Sequence, residues 1–308
     1  MTVISPNDRF VELYGEPVKR DEILAPYTTL GTGGKADLFV DVSSAEQLAR
    51  AINLAGELDI KFFVIGGGSN LLVGDLGFRG LIIRNRLMGR KVQGKSLIVG
   101  AGEDLDLIVD FAADNSLTGM EFAAGIWGTI GGAVYGNAGA FGSEIGNILH
   151  EAEIVDFKGN IRREPGKYFE FTYRHSKLKK TKEIVTEATF ELDSGDKGEI
   201  DRRTLEIRQL RKHKHPVDIG SAGCFFKNIE DPHQEYGKLP AGKLLEEIGA
   251  KTLSVGDARV FEKHANIIVN TGRARAKDIR TLADILKKKV KEKFGLDLEE
   301  EIISLGDF

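Results

Sequence analysis

The sequence predicts an α+β chain of more than one domain, on three observations. Up to residue 150 short apolar runs alternate with segments of helical spacing; beyond it the runs take the two-residue alternation of antiparallel strands. The glycines, 37 in all, gather into clusters rather than spreading evenly. Taken in order, SAEQLARAINLAGELD (44–59) sets Leu48, Ala51, Ile52, Ala55 and Leu58 on one helical face, with Ser43 and Glu46 expected as its capping box. KFFVIG (61–66) and LIIR (81–84) read as buried strands, and DLDLIVDFAADN (104–115) as a helix with Leu105, Ile108, Val109 and Ala112 inward. EAEIVDF and KEIVTEATFEL alternate and should pair antiparallel. A charged helix follows at about 200–214, then a small α/β unit to about 270. The last helix carries Ile279, Leu282, Leu286, Val290 and Phe294 on one stripe, Gly295 caps it, and LDLEEEIISL closes the chain as a strand. Neither a tandem repeat nor a low-complexity linker interrupts this order.

With 308 residues, 41% apolar and 29% charged, the chain has the composition of an ordinary soluble protein. A net charge of −4 gives no general attraction for nucleic acid or an anionic membrane. No run approaches 18 apolar residues, and MTVISPNDRFVELYG lacks the apolar core of a signal peptide, so a cytoplasmic location is expected. The single cysteine, Cys224, excludes an internal disulfide and a cysteine-rich metal site. It can be either a small core hydrophobe or a reactive thiol.

Residues 31–34 read GTGG, 66–68 read GGG, and 119–146 hold nine glycines in 28 residues. Single glycines serve tight turns, but a cluster interleaved with Ala and Ser points to backbone N–H groups approaching a phosphate. GGGSN follows a strand, yet LLVGDLGFRG after it has no helical stripe, which excludes an ordinary dinucleotide-binding βαβ unit. GRKVQGKS (89–96) fits the phosphate-loop pattern by letter; LIVGAG follows where a helix is required, so QGK is a hairpin turn. RRTLEIRQLRKHKHP (202–216) is either a solvated basic face or a diphosphate site, and its few aromatics argue against single-stranded nucleic acid. Arg174 follows the aromatic strand of FEFTYRHSKLKK, where an arginine is either a surface residue or a carboxylate clamp. Alternation would turn Glu299 and Glu301 to one face of the terminal strand.

In order, YTTLGTGGKADLFV, VIGGGSNLLV, GMEFAAGIWGTIGGAVYGNAGAFGSEI, FTYRHSKLK, SAGCFFKN, AGKLLEEIGAK, FEKHANIIVNTGRARAKDI and LEEEIISLG together resemble the UDP-N-acetylenolpyruvoylglucosamine reductases, the MurB family, over nearly the whole chain. The short C-terminal end and the lack of a long insertion after YRHS resemble its type II branch. The resemblance implies a two-subdomain FAD-binding fold of the PCMH (vanillyl-alcohol-oxidase-like) type with a third, smaller α/β substrate-binding domain. The expected boundaries are 1–80 and 81–205 for the FAD subdomains, the second completed by 294–308, and 206–293 for the substrate domain. It further implies non-covalent FAD, NADPH as electron donor, no metal, a monomer, and conversion of UDP-N-acetylglucosamine enolpyruvate to UDP-N-acetylmuramate, a peptidoglycan precursor.

On the same resemblance Thr29, Gly31, Gly33, Gly66, Gly67, Gly68, Ser69 and Asn70 fall at FAD-binding positions. So do Gly125, Gly128, Thr129, Gly131, Gly132, Asn137, Ala138, Gly139 and Ala140. Arg174 matches the arginine that stabilises developing charge, Glu301 the C-terminal glutamate that assists as an acid, and Cys224 the proton donor to substrate C2. Tyr173, Arg211, Lys214, Lys227, Asn228 and His264 match substrate-binding positions. Two residues depart from the common pattern: Cys224 stands where most members have serine, and Trp127 where the turn usually has proline. Another FAD-linked oxidase of the same fold would explain 31–142 but leave SAGCFFKN and LEEEI without a role. A nucleotide-sugar-binding relative without chemistry would be compatible with both departures.

Overall fold

The computed structural model describes residues 4–234 and 237–308. The chain forms two compact units, each assembled from separate stretches. The first comprises the residues up to Glu22, Ala36–Gly67 and Arg79–Leu210; the second comprises Ile23–Lys35, Gly68–Phe78 and Arg211–Phe308.

Two sheets organise the first unit. Strands Lys19–Ile23, Lys35–Val42, Phe78–Asn85 and Phe62–Ile65 lie side by side in that order, the last two parallel. Leu48, Ile52 and Ala55 of helix Ala45–Glu57 pack with Phe10 and Tyr14 of helix Pro6–Tyr14 against Val40, Leu81 and Ile83, all buried. The cap of Ala45–Glu57 is Ser44, one residue later than expected: its hydroxyl accepts from Gln47 N at 3.2 Å, while the Gln47 side chain reaches back to Ser43 N at 2.8 Å. Gln47, rather than Glu46, is three residues after the cap, and its side chain accepts from the residue before the cap instead of from the cap itself.

The second sheet is antiparallel, in the order Ile161–Pro165, Leu149–Val155, Ile184–Glu191, Ser96–Gly100, Arg90–Gln93. The alternation in EAEIVDF and KEIVTEATFEL is satisfied here: Ala152, Ile154, Ala188 and Phe190 are buried with Ile108, Val109 and Ala112 of helix Leu105–Asp114. QGK is the expected hairpin turn, since Gln93 pairs with Ser96 across a two-residue loop and Gly94 has φ +64°.

In the second unit strands Gly220–Cys224, Ile267–Asn270, Ala258–Val260 and Ser254–Val255 form an antiparallel sheet. Helix Ala276–Phe294 supplies Ile279, Leu282, Leu286 and Val290 to its core, each fully buried and worth about 1.5–3 kcal/mol of apolar burial. The end of the chain is less regular than LDLEEEIISL suggests. Only Ile303–Leu305 is strand, and it pairs in parallel with Leu71–Val73.

That pairing departs from the expected boundaries. Gly74 N donates to Leu305 O at 2.9 Å, Leu76 N to Asp307 O at 3.1 Å, and Gly34 N to Gly74 O at 2.9 Å. These bonds place 23–35 and 68–78 in the same unit as the C-terminal residues, and 294–308 joins them rather than the sheet of 81–205. Backbone pairing across such sequence separation leaves no local signature in composition or periodicity.

Candidate active site

Strand Phe62–Ile65 ends in Gly66, Gly67 and Gly68, and each glycine is required by what lies against it. A Cβ on Gly66 would overlap Thr129 Oγ1; one on Gly67 would sit 3.2 Å from Gly128 Cα. Gly68 turns with φ +63°, and a Cβ there would strike Tyr27 O. Three successive residues without side chains let their backbone come close to a neighbour, as a phosphate cradle requires. Thr129 caps helix Ile130–Gly136 through Gly132 N, 3.4 Å away. Gly125 N donates to Asp106 at 2.7 Å, and Arg208 holds the same carboxylate oxygen at 2.8 Å. In the second unit Thr29 N donates to Gly68 O at 3.3 Å, whereas Gly33 is packed against Val73 and Leu24. Within the first unit, Gly66, Gly67 and the 125–132 glycines fit a diphosphate-bearing cofactor.

Arg174 occupies the turn of the YRHS segment. Thr172 and His175 exchange backbone hydrogen bonds of 3.1 and 3.0 Å, and Arg174 takes φ +53°, the left-handed region that costs an ordinary residue about 1–3 kcal/mol. Its Nη1 donates to Gly139 O at 2.9 Å, its guanidinium lies 5.6 Å from the Tyr173 ring centroid, and Lys179 Nζ donates to its carbonyl at 2.7 Å. Gly139 and Ala140 pair with Ser143 and Glu144 around Phe141 and Gly142, both of positive φ as a type I′ hairpin needs.

Asn137 is buried, and its side chain bridges this region: Nδ2 donates to Thr172 O and Oδ1 accepts from Gly146 N, both at 2.9 Å. Its φ of +48° suits Asn as a helix C-cap. Asn137→Ala should therefore lower unfolding free energy by about 2–3 kcal/mol, from two lost hydrogen bonds and an alanine forced left-handed. Urea denaturation followed by circular dichroism measures it, and an unchanged midpoint would contradict the assignment.

Cys224 ends a bulged strand. Ser221 pairs with Val269 but Cys224 with Ile267, three residues against two, and Gly223 at φ +72° absorbs the extra one. The bulge leaves Cys224 partly exposed while Phe225 and Phe226 are 2% and 1% exposed. Asn266 fixes this pair: Phe225 N donates to its carbonyl at 2.7 Å, Phe226 N to its Oδ1 at 2.9 Å, and its Nδ2 to Phe226 O at 2.7 Å.

The LEEEI segment lies antiparallel beside 225–227. Lys227 N donates to Glu299 O and Glu301 N to Phe225 O, each at 2.8 Å. Asn70 of the GGGSN turn donates its amide to Glu301 O at 3.2 Å, and its own carbonyl accepts from Ile303 N at 3.0 Å. Asn70 of GGGSN thus meets SAGCFFKN and LEEEI within the second unit. Glu299 pairs with Lys227 Nζ, while Glu300 is gripped by Arg280 at 2.7 Å and Lys287 at 3.2 Å. Asn228 Oδ1 accepts from Ala241 N, supporting helix Ala241–Glu247.

His264 Nδ1 accepts from Asn266 N at 3.3 Å, and its ring centroid lies 5.6 Å from that of His215. Burial lowers the pKa of both; Arg211, His264 and Lys214 add to it for His215, which falls to about 4. A histidine whose folded pKa is depressed contributes stability above its unfolded value near 6.5 that is lost as pH falls toward 4. The acid limb of stability should therefore be shallower for His215→Phe than for the parent between pH 6.5 and 4. Urea midpoints across that window test this, and parallel curves would refute it.

The FAD binding domain family matches residues 36–164, and the C-terminal domain family of UDP-N-acetylenolpyruvoylglucosamine reductase matches 215–305. The UDP-N-acetylenolpyruvoylglucosamine reductase of Clostridium novyi is 38% identical over 293 residues, 95% of this chain and 93% of that one. The chain belongs to the UDP-N-acetylenolpyruvoylglucosamine reductase family. The Heliobacterium modesticaldum reductase is 38% identical over 100% of this chain and 95% of its own. The crystal structure of the reductase (MurB) from Thermus caldophilus is 37% identical with a TM-score of 0.80, covering 94% of this chain and 99% of that one.

The protein is accordingly an FAD-dependent oxidoreductase with an FAD-binding fold of the expected type. The reading as another FAD-linked oxidase gives way to the match at 215–305, which holds Cys224, Lys227, Asn228, His264 and Glu301. Gly66–Asn70 and Gly125–Ala140 fall inside the FAD-binding match; Tyr173, Arg174, Arg211 and Lys214 lie between the two matches, and Thr29, Gly31 and Gly33 precede them. Sequence reasoning missed the supports: Asp106, Asn266, Glu300 and Arg280. Asn266 lies inside the quoted FEKHANII, where a polar residue before a buried strand was its only signal. No helix among the described residues is long and apolar enough to cross a membrane.

Proposed function

We propose that the protein reduces UDP-N-acetylglucosamine enolpyruvate to UDP-N-acetylmuramate in the cytoplasm, with NADPH as electron donor, for peptidoglycan synthesis. Gly66–Asn70, Thr29 and the 125–140 glycine run would hold FAD non-covalently, and the chemistry that it would supply there is hydride transfer from the nicotinamide to C3 of the enolpyruvyl group. The chain's own residues manage charge and protons. Hydride arriving at C3 puts negative charge on C2 and the adjoining carboxylate, which a fixed cation and an acid stabilise best when already in place. Arg174 is that cation; its left-handed backbone and its bond to Gly139 O hold the guanidinium in one orientation. Glu301 is the acid near the carboxylate. Cys224 donates its S–H proton to C2, leaving a thiolate that solvent reprotonates.

The observation that carries this reading is the pairing of 225–227 with 299–301, which sets the Cys224 strand beside the Glu301 segment. Arg211 and Lys214 serve the diphosphate of the nucleotide sugar, while Tyr173, Lys227 and Asn228 contact the substrate. His264, its pKa lowered by burial, takes part as a neutral hydrogen-bonding group. An anaerobic titration tests the whole: NADPH should bleach the yellow protein, and UDP-N-acetylglucosamine enolpyruvate should restore the colour. Colour that an alditol restores and the nucleotide sugar does not would overturn the proposal.

A further inference from the structure

The segment bearing Glu301 has a second support on its opposite side. Arg280 projects from helix Ala276–Phe294, its Nη1 donating to both Glu300 carboxylate oxygens at 2.8 and 2.7 Å. Its Nη2 donates to Ser304 Oγ, and its guanidinium lies 5.2 Å from the Phe308 ring centroid. One side chain therefore holds the terminal segment at three points, 300, 304 and 308. Both members of the ion pair are largely buried, Arg280 at 24% and Glu300 at 18% side-chain exposure. The helix beneath is itself fixed, by Ile279, Leu282, Ala283 and Leu286 in the core and by Asp75, whose carboxylate accepts from Ala276 N at 2.9 Å and Lys277 N at 3.0 Å.

The Glu301 N–H donates to Phe225 O and its carbonyl accepts from the Asn70 side-chain amide, so its main chain is tied on two sides. Glu300, the adjacent residue, adds a third tie, from its carboxylate to Arg280 on the helix. Burial raises the pKa of the Glu300 carboxyl, but Arg280 and Lys287 outweigh it and hold the pKa below its ordinary value, so the grip is ionic at neutral pH. We infer that Arg280 is a positioning residue: through Glu300, Ser304 and Phe308 it holds Glu301 in the orientation needed to assist reduction of the enolpyruvyl substrate. The inference rests on the acid role of Glu301 proposed above.

Its effect should fall on one half-reaction. A misplacement near 1 Å can cost about 10²-fold, and Arg280→Met, which keeps the stem but loses the charge, should slow reoxidation of reduced protein by the nucleotide sugar roughly 10- to 100-fold. NADPH bleaching should stay within about twofold and the substrate Kd within about threefold, a change in rate rather than binding. Arg280→Lys, which can still reach Glu300, should recover most of the rate. Amide exchange at 299–305 should quicken in Arg280→Met and return toward the parent in Arg280→Lys.

Rapid-mixing absorbance with Glu301→Ala alongside separates the outcomes. If Glu301→Ala is slow and Arg280→Met reoxidises at the parent rate, the inference fails and the acid role stands. If both reoxidise at the parent rate, the acid role itself fails and the inference with it. Equal loss of both half-reactions in Arg280→Met would mark a general structural support and also overturn it. Should Arg280→Met not fold, Glu300→Gln and Arg280→Lys decide by the same split: slowed reoxidation in Glu300→Gln with near-parent Arg280→Lys supports the inference, and parent rates in both reject it.

Discussion

Cys224→Ala is expected to lose roughly 10²–10⁴ in turnover, the usual worth of a positioned acid, while NADPH still bleaches its flavin. Were the residue a core hydrophobe, the same change would be nearly harmless and Cys224→Ser would cost stability by burying a hydroxyl. Its position speaks for the first outcome. The bulge at Gly223 brings Cys224 out of the core that Phe225 and Phe226 fill, and Phe225 is the backbone partner of Glu301. Cys224→Ser should therefore keep substantial turnover, because it restores an O–H where the S–H stood. A thiol-alkylating reagent should block the sugar half-reaction, and bound substrate should protect against it. Reoxidation of Cys224→Ala at the parent rate, read at the flavin band after rapid mixing, would return the residue to the core.

Arg174→Ala and Glu301→Ala should each slow reoxidation by roughly 10²–10³, the scale seen when one preorganised charge-stabilising donor is removed. Flavin reduction by NADPH should change much less, because neither residue is assigned to the nicotinamide step. The two variants differ in what else they disturb. Arg174 sits in a left-handed turn and bonds Gly139 O, so Arg174→Gly relieves backbone strain that Arg174→Ala keeps. If Arg174→Gly is the more stable of the two and equally slow with the sugar, the loss belongs to the guanidinium and not to the fold. Equal loss of both half-reactions in folded, flavin-loaded protein would show the assignment to be wrong.

Periodicity located the long helices and the antiparallel sheet because their buried faces repeat every 3.6 or 2 residues; Leu48 to Ala55, Ile279 to Val290 and Ala188 to Phe190 are examples. It misjudged the chain's end, where three consecutive glutamates have separate partners in Lys227, Arg280 and the substrate step proposed for Glu301. Motif resemblance named Arg174, Cys224 and Glu301 but not the residues holding them. Asn266, Glu300 and Arg280 act through hydrogen bonds and ion pairs to segments distant in sequence, and such contacts impose no spacing. Several glycines were legible as a cluster, yet their purposes divide: Gly67 admits the backbone of Gly128, whereas Gly33 lets Val73 and Leu24 close in.

The parallel pairing of Leu71–Val73 with Ile303–Leu305 has a consequence for how the protein is made. Asn70 and Glu301 stand 231 residues apart in sequence, so the turn they share cannot close until almost the whole chain has left the ribosome. The helices and hairpins of the first unit draw on nearby residues and can form during synthesis. Residues 71–76, by contrast, must wait with an unpaired strand edge for residues 303–307 to arrive. A ribosome stalled before residue 301 would thus hold a nascent chain rich in structure whose Asn70 turn still lacks its partner.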